Sequence, residues 1–149
     1  MIRPAPLMDP CGIERALVRS VDVLVQDAGG RTLLQFRDGA ARTYPLAWSF
    51  WGGAVDDCDE TLAHAAAREL EEELGVSVRP EEFELAGRRV ARSGRTAPLF
   101  RLVRALAWTD ITIHEGAGAG WFRRAEILSL PATPSVVFHA QESPRLFGD

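Results

Sequence analysis

The run GAVDDCDETLAHAAARELEEELGV, residues 53–76, decides how this 149-residue chain is read. Thr61 is a suitable N-cap and Gly75 a suitable left-handed stop, and no Pro or Gly interrupts the residues between them. Ala63, Ala66, Ala67, Leu70 and Leu74 recur at helical spacing, which predicts a helix over Thr61–Leu74 with those side chains in the core. Glu69, Glu72 and Glu73 then stand at i, i+3 and i+4 with their carboxylates on one side, Arg68 sits one turn before Glu72, and Glu71 points elsewhere. Like charges so placed destabilise an isolated helix by roughly a few tenths of a kcal/mol per pair, and acids near a helix C-terminus oppose its dipole. A hard divalent cation would remove that repulsion, and an all-oxygen donor set selects Mg2+, Mn2+ or Ca2+ over softer metals. The same pattern also fits a solvated acidic helix end.

Working outward, Val21–Gln26 and Thr32–Phe36 are β-rich runs joined by Asp-Ala-Gly-Gly at 27–30, a hairpin signal. Asp38–Ala47 reads as a surface loop with a turn at Tyr44-Pro45, and Ser49–Val55 as a short aromatic segment broken by Gly52-Gly53. Glu82–Ala91 and Thr96–Trp108 read as strands around Ser93-Gly94-Arg95, with Ile111–His114 and Trp121–Phe122 as shorter ones. Glu126–Leu130 suits a helical turn and Ser135–Glu142 a final helix, with Val136, Val137 and Ala140 on one face. Strands dominate around one strong central helix. That order predicts an α+β fold, a mixed sheet with helices packed on it, rather than a regular βαβ array.

Length and composition fit a single domain over residues 1–149, with 46% apolar and 26% charged residues. No uncharged run reaches the ~18 residues of a membrane helix, and Met1–Pro10 lacks a secretory apolar core. Two cysteines, Cys11 and Cys58, make neither a disulfide framework nor a zinc site, so a reduced, cytoplasmic setting is expected. A net charge of −4 argues against nucleic acid as a partner. Charge placement says more. Asp56–Glu84 holds eleven acidic residues against Arg68 and Arg79, whereas Leu85–Thr109 holds six arginines and no acid. An acidic block beside an arginine block fits a metal-plus-phosphate site, and equally two solvated faces.

Residues 53–76 resemble the Nudix box of Nudix hydrolases. In that pattern a Gly, five residues, a Glu and seven residues precede Arg-Glu-apolar-x-Glu-Glu-x-Gly-apolar. Glu60, seven residues, and then Arg68-Glu69-Leu70-Glu71-Glu72-Glu73-Leu74-Gly75-Val76 match the second half in full. The first half departs, because six residues rather than five separate Gly53 from Glu60; we read one inserted residue in the turn before the helix. Trp48-x-Phe50-Trp51-Gly52-Gly53 is similar to the family's aromatic lead-in, and Glu115-Gly116 before Trp121-Phe122 is similar to its segment after the core sheet.

The resemblance implies the Nudix α/β/α sandwich, with the box helix and a C-terminal helix packed on a mixed sheet. It implies hydrolysis of a phosphoanhydride bond in a nucleoside diphosphate linked to another group, with Mg2+ as cofactor and Mn2+ as a substitute. Glu72 and Glu73 would be the principal metal ligands, joined by a backbone carbonyl of Gly52 or Gly53 and, downstream, by Glu115. Glu69 would bind metal through water or act as the base. Glu60 would hold Arg68, and Arg68 would orient the carboxylates. Arg37, Arg42 and Arg89 are candidates for substrate phosphates, since Arg pairs with them bidentately, and Trp48 is a candidate for stacking a base. Phe50 and Trp51 share that alternative with a place in the core. The marks of diadenosine-polyphosphate, ADP-ribose and NADH hydrolases are absent, which leaves a nucleoside triphosphate or a nucleotide sugar. A small nucleotide is the expected partner, and a homodimer the expected assembly. The second reading is a catalytically silent nucleotide sensor on the same fold; such modules lose box carboxylates that this chain keeps. An isomerase on this fold would need a catalytic Cys and a matching acid that the sequence does not show.

Overall fold

A computed structural model describes residues 8–148. Residues 1–7, most of the N-terminal stretch read above, lie outside the described part, as does residue 149.

The β-rich runs form the expected hairpin. β1 (Ser20–Gln26) and β2 (Thr32–Phe36) pair antiparallel, with Val25 opposite Leu33. Asp27 fixes the turn by accepting the amides of Gly29 at 3.0 Å and Arg31 at 2.8 Å. β3 (Trp48–Ser49) pairs β2, while β4 (Trp51–Ala54) pairs the first half of β1 and places Gly52 opposite Asp22. β5 (Phe83–Val90) and β6 (Thr96–Leu102) form the second hairpin, and β6 lies parallel to β1 with Leu99 opposite Asp22. β7 (Gly118–Phe122) completes the sheet against β2. One parallel pairing among antiparallel ones makes the sheet mixed, and β1 lies at its centre, paired with β2, β4 and β6.

Strand alternation assigns each face its helix. Val21, Val23 and Val25 turn to one side and pack with Trp51, Phe100 and the buried face of α1 (Leu62–Leu74). Leu24 and Leu34 turn to the other and pack with Phe50, Leu99, Ile127 of α2 (Arg124–Ile127) and Val136 and Ala140 of α3 (Pro134–Glu142). Helices therefore cover both faces, as an α/β/α sandwich requires. Each fully buried Leu, Val or Phe contributes about 1.5–3 kcal/mol.

The central helix is capped as expected. Thr61 Oγ1 accepts the His64 amide at 3.2 Å, and Gly75, at φ 65°, donates its amide to Glu71 O. Its buried face holds Leu62, Ala65, Ala66, Ala67, Leu70 and Leu74 and, unexpectedly, Glu73. Ile111–His114 is not a strand. The amides of Thr112 and His114 instead donate to Leu74 O at 2.8 Å and Glu73 O at 2.9 Å, two of the carbonyls a helix end leaves open. In α3 the buried set is Val136, His139 and Ala140, whereas Val137 is exposed. Among the described residues no helix is long and apolar enough to cross a membrane.

Candidate active site

The site forms where β4 meets the last turns of α1. Gly52 sits at φ 126°, and a Cβ there would stand 2.1 Å from Val21 O, so only glycine lets β4 run this close to β1. Its amide donates to Glu73 Oε1 at 2.8 Å. On Gly53 a Cβ would come within 2.7 Å of the Glu69 carboxyl, so the missing side chain is what admits that acid against the backbone. Glu73 is 3% exposed. The loop that closes the end of α1 delivers Glu115 to it, within hydrogen-bonding reach. Burial pushes the Glu73 carboxyl well above the ordinary range against the Gly52 hydrogen bond, and Glu115 and Glu69 raise it further. Glu69 is also raised, by burial and by Glu72 and Glu115, although Arg68 opposes the shift.

Arg68 braces this cluster, but Glu60 does not hold it. The guanidinium grips Asp59 through both oxygens, Nε to Oδ1 at 3.0 Å and Nη2 to Oδ2 at 2.8 Å. It also donates to Ala54 O at 2.8 Å and Glu69 Oε1 at 3.0 Å. Asp59 is buried, accepts the Asp56 amide at 2.8 Å, and is held below the ordinary carboxylate range by Arg68 despite that burial. Glu60 is exposed, and among the described residues its carboxylate pairs only with His64, at 3.6 Å. The extra residue of the turn thus falls after the acid that holds Arg68. Counting five residues from Gly53 leads to Asp59, the signal that would have found it.

Glu69, Glu73 and Glu115 are brought together, whereas Glu72 stands 58% exposed with Oε1 3.4 Å from Arg68. Among the described residues no three His, Cys, Asp or Glu side chains are already arranged to hold a metal ion. The donor set nevertheless fits one. Glu115 raises the pKa of the buried Glu73, and repulsion between two such carboxylates is what a hard cation relieves. Glu72, one helical turn from Glu69, is turned toward Arg68 instead.

Two cavities adjoin the cluster. One of about 380 Å3 is lined by Asp22, Arg37, Tyr44, Gly52, Gly53, Arg89 and Ser135, among others. The second, of about 370 Å3, runs past Gln35, Arg37, Arg42 and Glu115. Arg37 lines both, and its Nε donates to Thr43 O at 2.8 Å. Arg37 and Arg89 line the first cavity, and Arg37 and Arg42 the second. Trp48 does not. Its ring packs between Phe36 at 5.0 Å and Phe122 at 4.8 Å, against the α3-side core, and lines neither cavity. Phe50 and Trp51 are buried core residues that also line the first cavity. Sequence reasoning missed Asp22, an acid in the apolar run of the central strand; a charge in such a run was its only signal.

A family model for the NUDIX domain matches residues 16–141. The chain is similar to an m7GpppN-mRNA hydrolase of Danio rerio, 39% identical over 71 residues that make up 48% of this chain and 23% of that one. It therefore spans less than a quarter of that relative's length. It is also similar to the isopentenyl-diphosphate Delta-isomerase of Nocardia farcinica, 33% identical over 126 residues, 80% of this chain and 71% of that one. Among solved structures, the MutT protein from Methanosarcina mazei Go1 superposes with a TM-score of 0.67 at 24% identity, covering 86% of this chain and 96% of that one, a likeness of fold.

Proposed function

The chain belongs to the NUDIX family, and from that premise we propose that it is a metal-dependent hydrolase of a phosphoanhydride bond in a nucleoside diphosphate linked to another group, with Mg2+ as the working ion. The observation that carries this reading is the meeting of Glu69, Glu73 and Glu115 at the Gly52–Gly53 backbone, beside a cavity edged by Arg37 and Arg89. Glu73, Glu115 and an inward-turned Glu72 would hold the ion, with Glu69 at its edge. Such an ion, when bound, would supply charge to offset the phosphates and a more acidic water as nucleophile. Glu69, pressed against Gly53 and tethered by Arg68, would take the proton of that water. Arg68 is a positioning residue, fixed through Asp59 to the turn before the helix. Arg37 and Arg89 would neutralise the phosphates that the acids repel.

Isomerisation, the activity named for the Nocardia relative, finds less support. Cys58 is exposed in the turn, and the Cys11 thiol is pushed up to about 11 by burial and Asp9; neither lines either cavity. The test is phosphate or pyrophosphate release from triphosphates, nucleotide sugars, ADP-ribose and dinucleotides, with Mg2+ and with EDTA, alongside Glu73→Gln. Metal-dependent turnover of one class, falling at least about 100-fold in a folded Glu73→Gln, is expected. Full activity in that variant would overturn the assignment. Nucleotide binding without turnover in the wild type would replace the hydrolase by a sensor.

A further inference from the structure

We propose that Asp22 accepts the exocyclic amino group of a nucleobase seated in the cavity edged by Arg37 and Arg89, and so sets which nucleotides the site prefers. The inference rests on the proposed function in taking that cavity as the nucleoside's seat.

Asp22 occupies the central strand, paired to Gly52 on one side and Leu99 on the other, so its backbone has little room to move. Alternation sends its side chain to the α3 face, where Leu24 also points, and into the cavity floor. There Oδ2 accepts the Ser135 hydroxyl at 2.6 Å. Asp22 forms no ion pair within 4.0 Å among the described residues, and Arg89 acts on it only from farther away. Burial accordingly raises its pKa in spite of Ser135 and Arg89. Among the described residues its side-chain partner is Ser135 at the start of α3, which leaves a costly carboxyl group with Oδ1 open to the cavity, the mark of a residue kept for a ligand.

Charge tells which part of the ligand it meets. Phosphates are repelled by Asp22 and drawn to Arg37, to Arg89 and to the cation proposed at Glu69 and Glu73, so the acid faces the neutral end of a nucleotide. The Ser135 hydroxyl proton is already given to Asp22, which leaves Asp22 Oδ1 and the Ser135 lone pairs as acceptors. A floor of acceptors suits an amino-bearing edge. An oxo group in its place would set two acceptors against each other and leave both unpaired. Discrimination of about 10- to 100-fold is expected from a hydrogen bond to a charged group.

The experiment is calorimetric binding of nucleoside monophosphates without metal, comparing GMP with IMP, which lacks only the 2-amino group, and CMP with UMP, which carries an oxo group and an N3 proton in place of the 4-amino group. Wild type, Asp22→Asn and Ser135→Ala are measured, each with its melting temperature. Wild type should bind the amino-bearing member of at least one pair at least about tenfold tighter. Asp22→Asn should lose that ratio while melting no lower than wild type, and Ser135→Ala should reduce it. Equal affinity within both pairs, a ratio that survives Asp22→Asn, or no binding at all would overturn the inference. A clear amino preference in a protein that hydrolyses nothing would uphold it while removing the hydrolase reading.

Discussion

Exchanging the charge of Asp59 or of Glu60 separates two accounts of how Arg68 is held. Asp59 is buried and accepts two hydrogen bonds from Arg68, at 3.0 and 2.8 Å, while its Oδ2 also accepts the Asp56 amide. In Asp59→Asn one oxygen becomes an amide, so either Arg68 Nε or the pair formed by Arg68 Nη2 and Asp56 N meets a donor. Hydrogen bonds to a charged group are worth about 1.5–3 kcal/mol each. Arg68 is a quarter exposed and keeps Ala54 O and Glu69, which discounts the sum. The expected loss is about 2 kcal/mol of folding stability. Misplacing Glu69 through Arg68 should also lower kcat/KM about 10- to 100-fold. Glu60→Gln, at a side chain 83% exposed, should stay within about 0.5 kcal/mol of wild type and leave activity in place. Urea denaturation at equal m, followed by metal-dependent turnover, reads both quantities. The sign with pH is a further control. Arg68 lowers the Asp59 pKa, so the stability it contributes is present above about pH 4 and is lost as pH falls through the folded value. Wild type and Asp59→Asn should therefore converge in acid. A larger loss from Glu60→Gln than from Asp59→Asn would refute the reasoning.

Gly52→Ala should cost at least about 3 kcal/mol or prevent folding, because its Cβ would overlap Val21 O at a backbone φ of 126°, as thermal melting would show. Gly53→Ala should fold closer to normally but displace the Glu69 carboxyl, which its Cβ would meet at 2.7 Å, so kcat should fall much more than the melting temperature. His139, buried with Nε2 unpartnered, is held neutral by burial and by Arg89. Its stabilising effect is complete above the unfolded pKa of ~6.5 and declines as pH drops from there toward the folded value. His139→Leu should flatten that part of the stability–pH curve measured in urea.

Local rules account for what was legible in the sequence. The hairpin turn at Asp27–Gly30 and the helix between Thr61 and Gly75 are specified within a few residues of themselves, and both form as read. Ile111–His114 has strand composition, yet the open carbonyls at the end of α1 claim its amides first. Trp48 carries the same apolar bulk as any stacking residue, and only the positions of Phe36 and Phe122 make it core. Glu60 and Asp59 are adjacent acids on one turn. Which of them meets Arg68 depends on a single residue of loop length, a distance that family spacing averages over.

The direction in which each acid's pKa moves sorts the chain's carboxylates by purpose. Asp59 and Asp27 are lowered: Asp59 by the Arg68 hydrogen bonds, Asp27 by Arg31, whose hydrogen bonds outweigh slight burial. Their charge is paid for within the protein, and both fasten turns. Asp22, Glu69 and Glu73 are raised, each chiefly by burial. All three border Gly52 or Gly53: Asp22 pairs across the ladder with Gly52, Glu73 accepts its amide, and Glu69 touches Gly53. Two adjacent glycines therefore stand among three acids that the fold leaves short of positive charge or hydrogen-bond donors. In the proposed reading a cation supplies that at Glu69 and Glu73, and the amino edge of a base supplies it at Asp22. Asp22 on the α3 side and Glu69 and Glu73 on the α1 side thus flank the same two glycines of β4, where a fold selected for stability alone would place none of them, and this shared position is what supports the proposal that one nucleotide spans it.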